Sequence, residues 1–440
     1  MEMHMTNKTL RVSLLAVIPA SKTVLRACLL TICSVAMMHA QSDPPELASW
    51  LRNTNGRVGY NNILADVQLV RYSANYVYVN STGIPAFSIG PWPGNPNIPT
   101  NQNFVFKIAR SPAVNTETKT STQLGPIAVW INGDAVFNAL DGFSYNNQNI
   151  WHRNAIVAEA TSFDQCLGHP APGGVYHNHQ NPRCLYSADS THHSPLLGYA
   201  FDGYPIYGPY GFVNTNGTGG ITRIQSTYRF RNITQRQTLP DGTVLQPSQY
   251  GPEVSTTFPL GLYAEDFEYV NGLGALNQYN GRTGVTPEYP GGTYAYFVTI
   301  NADGSSAYPY VIGPQYNGTV VTENITTGGH VTVSEAVTIY NPSTGVGEMS
   351  GPPDNFVLQQ NYPNPFNPTT IIKFELPRSS YVTLTLFDLL GREISVLADG
   401  LKEVGFHEVS LDASRLSSGV YFYSMKAGEF NSVKRLVLLR

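Results

Sequence analysis

Charge is scarce in this 440-residue chain: Asp, Glu, Lys and Arg together make up 13% of it. The formal net charge is −4 and no basic run breaks the pattern, which excludes the electrostatic footprint of a nucleic-acid or anionic-lipid binder. So few charges also leave little to cover the outer faces of amphipathic helices. Only Pro44 to Leu51 and Ala155 to Ala160 read as short helical stretches. Cysteine is equally sparse, at four residues. The apolar run Ala27 to Met38 falls short of the ~20 residues that span a bilayer. No other stretch could cross a membrane. HExxH, Gly-x-Ser-x-Gly and Cys-His nucleophile patterns are missing as well, so no motif assigns a hydrolytic activity, and whether the chain is an enzyme stays open.

What the chain does have is turn formers and aromatics: 40 Gly, 31 Pro and 27 Tyr. That balance suits pleated, half-buried surfaces and predicts a mainly β protein. Val67, Leu69 and Tyr76 to Val79 lie in β-rich runs, and Phe104 to Ile108 alternates as a half-buried strand. Ile127 to Ile131 ends in the hairpin signal Asn132-Gly133-Asp134. Residues 341–355 form a Gly/Pro/Ser-rich linker between a β-rich domain at 41–340 and a small β-sandwich at 356–440. In front, Lys22 and Arg26, the apolar run and His39-Ala40-Gln41 make residues 1–40 a secretory signal peptide, cut after Ala40. Cys28 and Cys33 leave with it. Cys166 and Cys184 remain as a pair in an oxidising compartment, where a disulfide is the default over free thiols or a two-cysteine zinc site.

The densest chemistry lies between Asp164 and Gly211. On a strand, residues i and i+2 point the same way, so His177 and His179 would present two imidazoles on one face. Imidazole suits Zn, Cu, Ni or Fe, and completion of a site needs further ligands. His169, His193 and Asp202 are the candidates, with zinc or copper as the cofactor and Asp164, Glu159 or His169 as the base of a catalytic version. Against this stands a structural role for the histidines in a tyrosine-rich sheet. One internal echo separates scaffold from ligand: Pro172-Gly173-Gly174-Val175-Tyr176-His177-Asn178-His179 recurs as Pro290-Gly291-Gly292-Thr293-Tyr294-Ala295-Tyr296-Phe297. A second echo pairs Tyr204 to Pro209 with Tyr308 to Pro314.

Two resemblances follow from longer motifs. Asn361-Tyr362-Pro363-Asn364-Pro365-Phe366-Asn367-Pro368, Leu386-Phe387-Asp388-Leu389-Leu390-Gly391-Arg392, Leu416 to Tyr421 and Lys434 to Leu438 resemble the type A sorting domain of the type IX secretion system, an immunoglobulin-like sandwich. That resemblance implies the type IX machinery as partner, passage across the outer membrane, removal of the domain, and attachment to surface lipopolysaccharide. The expected location is secreted or at the outer-membrane cell surface. Gly83-Ile84-Pro85, Val129 to Gly133, Gly168-His169-Pro170, Gly174 to His179 and Ser194 to Gly208 resemble the YHYH domain family, with Asn178 in place of the second tyrosine of its name. This resemblance implies a fold and no reaction. The sequence therefore supports an exported metal-binding domain, or alternatively a surface adhesion or glycan-binding module.

Overall fold

The computed structural model describes residues 43–341, 355–361 and 364–439. The expected signal segment 1–40 and nearly all of the expected linker lie outside the described residues, as do Tyr362 and Pro363 of the sorting motif. The described α-helices are single turns: Pro45–Ala48, Ala155–Ala158 and Thr322–Thr326. Among the regular elements strands dominate, in keeping with the tyrosine and glycine content. Among the described residues no helix is long and apolar enough to cross a membrane.

The larger domain holds two principal sheets. A four-stranded antiparallel sheet runs Thr338–Ile339, Val67–Tyr72, Tyr76–Ser81, Phe104–Ala109. Its last strand alternates strictly, burying Phe104, Phe106 and Ile108. The second sheet has eight strands, in the spatial order Gly281–Gly284, Thr293–Phe297, Pro205–Tyr207, Leu196–Ala200, Pro126–Trp130, Ala135–Phe137, Tyr176–Asn178, Gly168–Pro170. One core, which includes Trp130, Tyr199, Tyr207 and Tyr296, joins the two sheets.

The eight-stranded sheet is built from two copies of one unit. In its central hairpins, Pro126↔Phe137, Ala128↔Val136 and Val129↔Ala135 in one half match Leu196↔Tyr207, Gly198↔Ile206 and Tyr199↔Pro205 in the other, irregularity included. The halves meet antiparallel through Val129↔Tyr199, a pairing of equivalent positions that lies on a local twofold axis. Outside each hairpin a parallel strand is added, as Ala135↔His177 and Val136↔Asn178 in one half and as Ile206↔Tyr296 in the other. Each edge then closes antiparallel, with His169↔His177 matching Arg282↔Ala295.

Even the supporting contacts recur. Asp164 Oδ1 accepts from the backbone N–H of Cys166 and Gly168 while its other oxygen takes the Tyr176 hydroxyl; Asn277 Oδ1 accepts from Tyr279 N–H, Gly281 N–H and the Tyr294 hydroxyl. Gly168 and Gly281 face those tyrosines so closely that a Cβ at either would sit 2.3 Å from the phenol oxygen. The Pro-Gly-Gly-x-Tyr echo is thus a structural repeat. The other echo is not: Tyr204 to Gly208 is the counterpart of Asp134 to Asn138 across the axis, whereas Tyr308 to Gly313 lies in turns outside the strands.

The C-terminal domain is a sandwich of a three-stranded sheet, Val357–Leu358, Thr369–Leu376 and Gly405–Asp412, and a four-stranded sheet ordered Glu393–Lys402, Ser380–Phe387, Gly419–Ala427, Phe430–Leu438. Ile372, Phe374, Leu384, Leu386, Met425 and Leu436 fill its own core. The opening motif is bound to this core through backbone and amide groups. Asn361 N–H donates to Tyr423 Oη, Asn361 Nδ2 to Thr370 Oγ1, and Asn364 Oδ1 accepts from Val437 N–H.

Candidate metal centre

Sheet register decides which side chains meet. His169 pairs directly with His177 across the edge hairpin, so both imidazoles leave the same face, and His179 follows two residues on. The disulfide Cys166–Cys184 closes the segment that carries all three. His169, His177 and His179 are each 3% exposed, and one nitrogen from each lies within 4.8 Å of the other two. His177 Nε2 is 3.0 Å from His169 Nε2 and 3.0 Å from His179 Nε2. Phe137 stacks on His177 with ring centres 3.8 Å apart, and Phe163 packs against His169 at 4.5 Å.

The outer nitrogens fix the protonation of the inner ones. His177 Nδ1 lies 3.0 Å from the Val175 carbonyl and His179 Nδ1 lies 2.5 Å from the Asn138 carbonyl. A carbonyl only accepts, so both Nδ1 atoms carry the proton. His169 Nδ1 meets Ser162 Oγ at 2.7 Å, and that hydroxyl spends its own proton on the Glu159 carbonyl. Ser162 therefore accepts from His169. All three rings are left with a bare Nε2 lone pair in one cluster, and no proton lies between them. Outer-nitrogen hydrogen bonds of this kind orient histidines that ligate metals.

Electrostatics reinforce the arrangement. Burial drives His169 down to about 3, helped by the neighbouring His179, and drives His179 down to about 4. His177 is held well below its ordinary value by burial and by both neighbouring rings. The imidazoles are thus neutral donors at any ordinary pH. Glu159 borders the cluster, its Oε2 3.5 Å from His179 Nε2 and 3.6 Å from His169 Nε2. Burial, with Asp141 nearby, raises its carboxyl to about 7.

His193 and Asp202, expected as further ligands, lie elsewhere. His193 sits in the other half of the sheet, packed on Tyr207 and Phe212, with Nδ1 bonded to its neighbour's carbonyl. Asp202 is fully buried and takes the Tyr296 hydroxyl at 2.6 Å and Gly318 N–H at 2.8 Å, a load that suits a hairpin anchor. Asp164 is equally committed: besides its strand contacts it accepts from Gly90 N–H and Trp92 Nε1, which leaves no oxygen free to act as a base. Asn178, where the motif's second tyrosine would stand, accepts from Trp130 Nε1 and donates to the Cys166 carbonyl on the face opposite the histidines. Ser162 and the Val175 and Asn138 carbonyls had no sequence signal, because orienting a ring requires only a suitably placed oxygen.

In the other half of the sheet the three histidines are replaced by Arg282, Ala295 and Phe297. There the Arg282 guanidinium lies 5.4 Å over the Phe297 ring and donates to the Phe212 carbonyl. A covalently attached cation and an aromatic face fill that position, and the scaffold stands without histidine.

Comparison with known families agrees with this division of the chain. Residues 105–308 match the YHYH protein family, and residues 360–439 match the secretion system C-terminal sorting domain. No curated protein matches the chain. The chain therefore carries a YHYH domain and, C-terminal to it, a type IX secretion sorting domain, which marks it for export to the cell surface or beyond.

Proposed function

We propose that the YHYH domain is an exported metal-binding domain that holds a transition metal ion, zinc or copper, through His169, His177 and His179. The observation that carries this reading is the meeting of three Nε2 lone pairs with no proton among them. Lone pairs 3.0 Å apart repel, and a cation held among them would relieve that repulsion. A metal with bonds of about 2.0–2.1 Å to tetrahedrally disposed nitrogens sets them ~3.3 Å apart, close to the 3.0 Å that separates His177 Nε2 from each of the other two. Sulfur takes no part, since the mature chain's two cysteines are joined to each other. Delivery is by the type IX machinery through residues 356–440, and attachment to surface lipopolysaccharide after removal of that domain belongs to the same proposal.

The glycan-binding alternative draws on the tyrosines, which could stack on sugars. Tyr78, Tyr176, Tyr199, Tyr207, Tyr296 and Tyr316 are instead fully buried in the fold, which favours the metal reading. Elemental analysis of the purified chain tests it. Wild type should carry about one metal ion per chain and His177→Ala/His179→Ala none; equal, near-zero contents would end the proposal.

A further inference from the structure

Glu159 is the other unexplained group at this centre. It follows the helical turn Ala155–Ala158, which Asn154 caps by accepting from Ile156 N–H, and its backbone carbonyl receives the Ser162 hydroxyl that orients His169. One short segment thus sets the position of the carboxylate and the angle of a histidine together. Glu159 Oε2 is buried and has no hydrogen-bond partner. Asp134 Oδ1 shares that state, whereas Asp202 is satisfied by a hydroxyl and two amides and Asp266 by Arg236 and the backbone N–H of Gly261 and Tyr263.

Hydrogen bonding to the histidines does not supply the missing partner of Glu159. The Nε2 atoms of His169 and His179 bear no proton, and at 3.6 and 3.5 Å they are too distant to accept one from a protonated Glu159. No hydrogen bond therefore joins the carboxylate to the imidazoles it borders.

We propose that Glu159 Oε2 is the fourth protein ligand, completing a three-histidine, one-carboxylate centre that selects a divalent ion over monovalent copper. This rests on the three-histidine reading above. A carboxylate is a hard, anionic ligand that strengthens binding of Zn²⁺ or Cu²⁺ and adds little for soft Cu⁺. In the absence of Glu159 the three imidazoles would serve either charge state. Glu159 is a specificity-determining residue, and the segment from Ala155 to Ser162 is the part of the wall that carries it.

The test is chelator competition on the purified full-length chain, with Zn²⁺ and, under anaerobic reduction, with Cu⁺, for wild type, Glu159→Gln and His177→Ala/His179→Ala. Glu159→Gln should weaken Zn²⁺ binding by about tenfold or more and leave Cu⁺ within about threefold of wild type. The Co²⁺-loaded variant should also show altered visible bands. Zn²⁺ affinity and Co²⁺ bands matching wild type would place Glu159 outside the coordination shell, with the histidine centre intact. Equal losses for both ions would reduce its role to shaping the pocket. Failure of wild type to bind either ion would overturn the histidine reading and this one with it.

Discussion

Removing His177 and His179 together separates a metal centre from a structural histidine cluster, because the two accounts differ in what the metal-free and metal-loaded proteins should do. In the metal-free chain His177→Ala/His179→Ala deletes two hydrogen bonds, from Nδ1 to the Val175 and Asn138 carbonyls, at roughly 1 kcal/mol each. It also deletes the stack on Phe137, at roughly 0.5–1.5 kcal/mol. Against these losses stands the relief of lone pairs that face each other at 3.0 Å. The net loss should be small, about 2 kcal/mol. The loaded protein differs: an ion that binds only the fold, at a hundred times its Kd, adds about 2.7 kcal/mol. At roughly 2 °C per kcal/mol for a domain of this size, that is a rise of about 5 °C in Tm. Thermal melts of both proteins in chelator and in Zn²⁺ supply the four numbers required. Wild type should gain the full shift and the double variant none. The same shift in both proteins, or none in wild type alongside a severe loss of metal-free stability in the variant, would refute the reasoning.

The acid limb of metal-free stability gives an independent check on the centre's electrostatics. His169 and His179 fall to about 3 and about 4, and His177 lies well below its usual value, so between roughly pH 4.5 and 6.5 the unfolded chain binds three protons that the fold does not. That contribution is intact above the unfolded histidine value and is lost as pH falls. Glu159, raised to about 7, works oppositely, because the fold holds a proton there that the unfolded chain has released. Glu159→Gln should therefore steepen the dependence by about 1.4 kcal/mol per pH unit in urea melts, and parallel curves would contradict the assigned shifts. Cys166→Ala/Cys184→Ala, which opens a link across 18 residues, should cost ~3 kcal/mol and weaken Zn²⁺ binding, since the closed segment carries all three histidines. Unchanged melts and affinity would show that the strand pairing alone holds the site. Deleting residues 355–440 should trap the protein in the periplasm, to be read by fractionation; undiminished surface display would refute the sorting assignment.

Much of the architecture could be read from the residues, because strand periodicity and turn chemistry are local. The alternation of Phe104 to Ile108, the Asn132-Gly133-Asp134 hairpin, the helical turn after Asn154 and the sandwich at the C-terminus all reappear. The candidate site was legible only in part, for the reason that register is not local. The period of two places His177 and His179 on one face. Nothing in the sequence says that His169 lies directly opposite His177, or that Asp202 and His193, the latter nearer to His179 than Glu159 is, belong to a different hairpin. Proximity along a β chain is a poor guide to ligands, since a few residues of turn can send the chain to the far half of a sheet. The internal repeat is the better guide. Its two copies share a twofold pairing through Val129 and Tyr199, and each holds its edge hairpin with a tyrosine hydroxyl on an Asp or Asn side chain. Whatever both copies keep, Tyr176 with Tyr294 and Gly168 with Gly281, the backbone requires; whatever differs is free of that requirement. Three histidines on one side face arginine, alanine and phenylalanine on the other, where Arg282 supplies the positive charge over Phe297. One half of the sheet carries its cation as a side chain. On the proposed reading, the half with three unprotonated imidazoles takes its cation from solution.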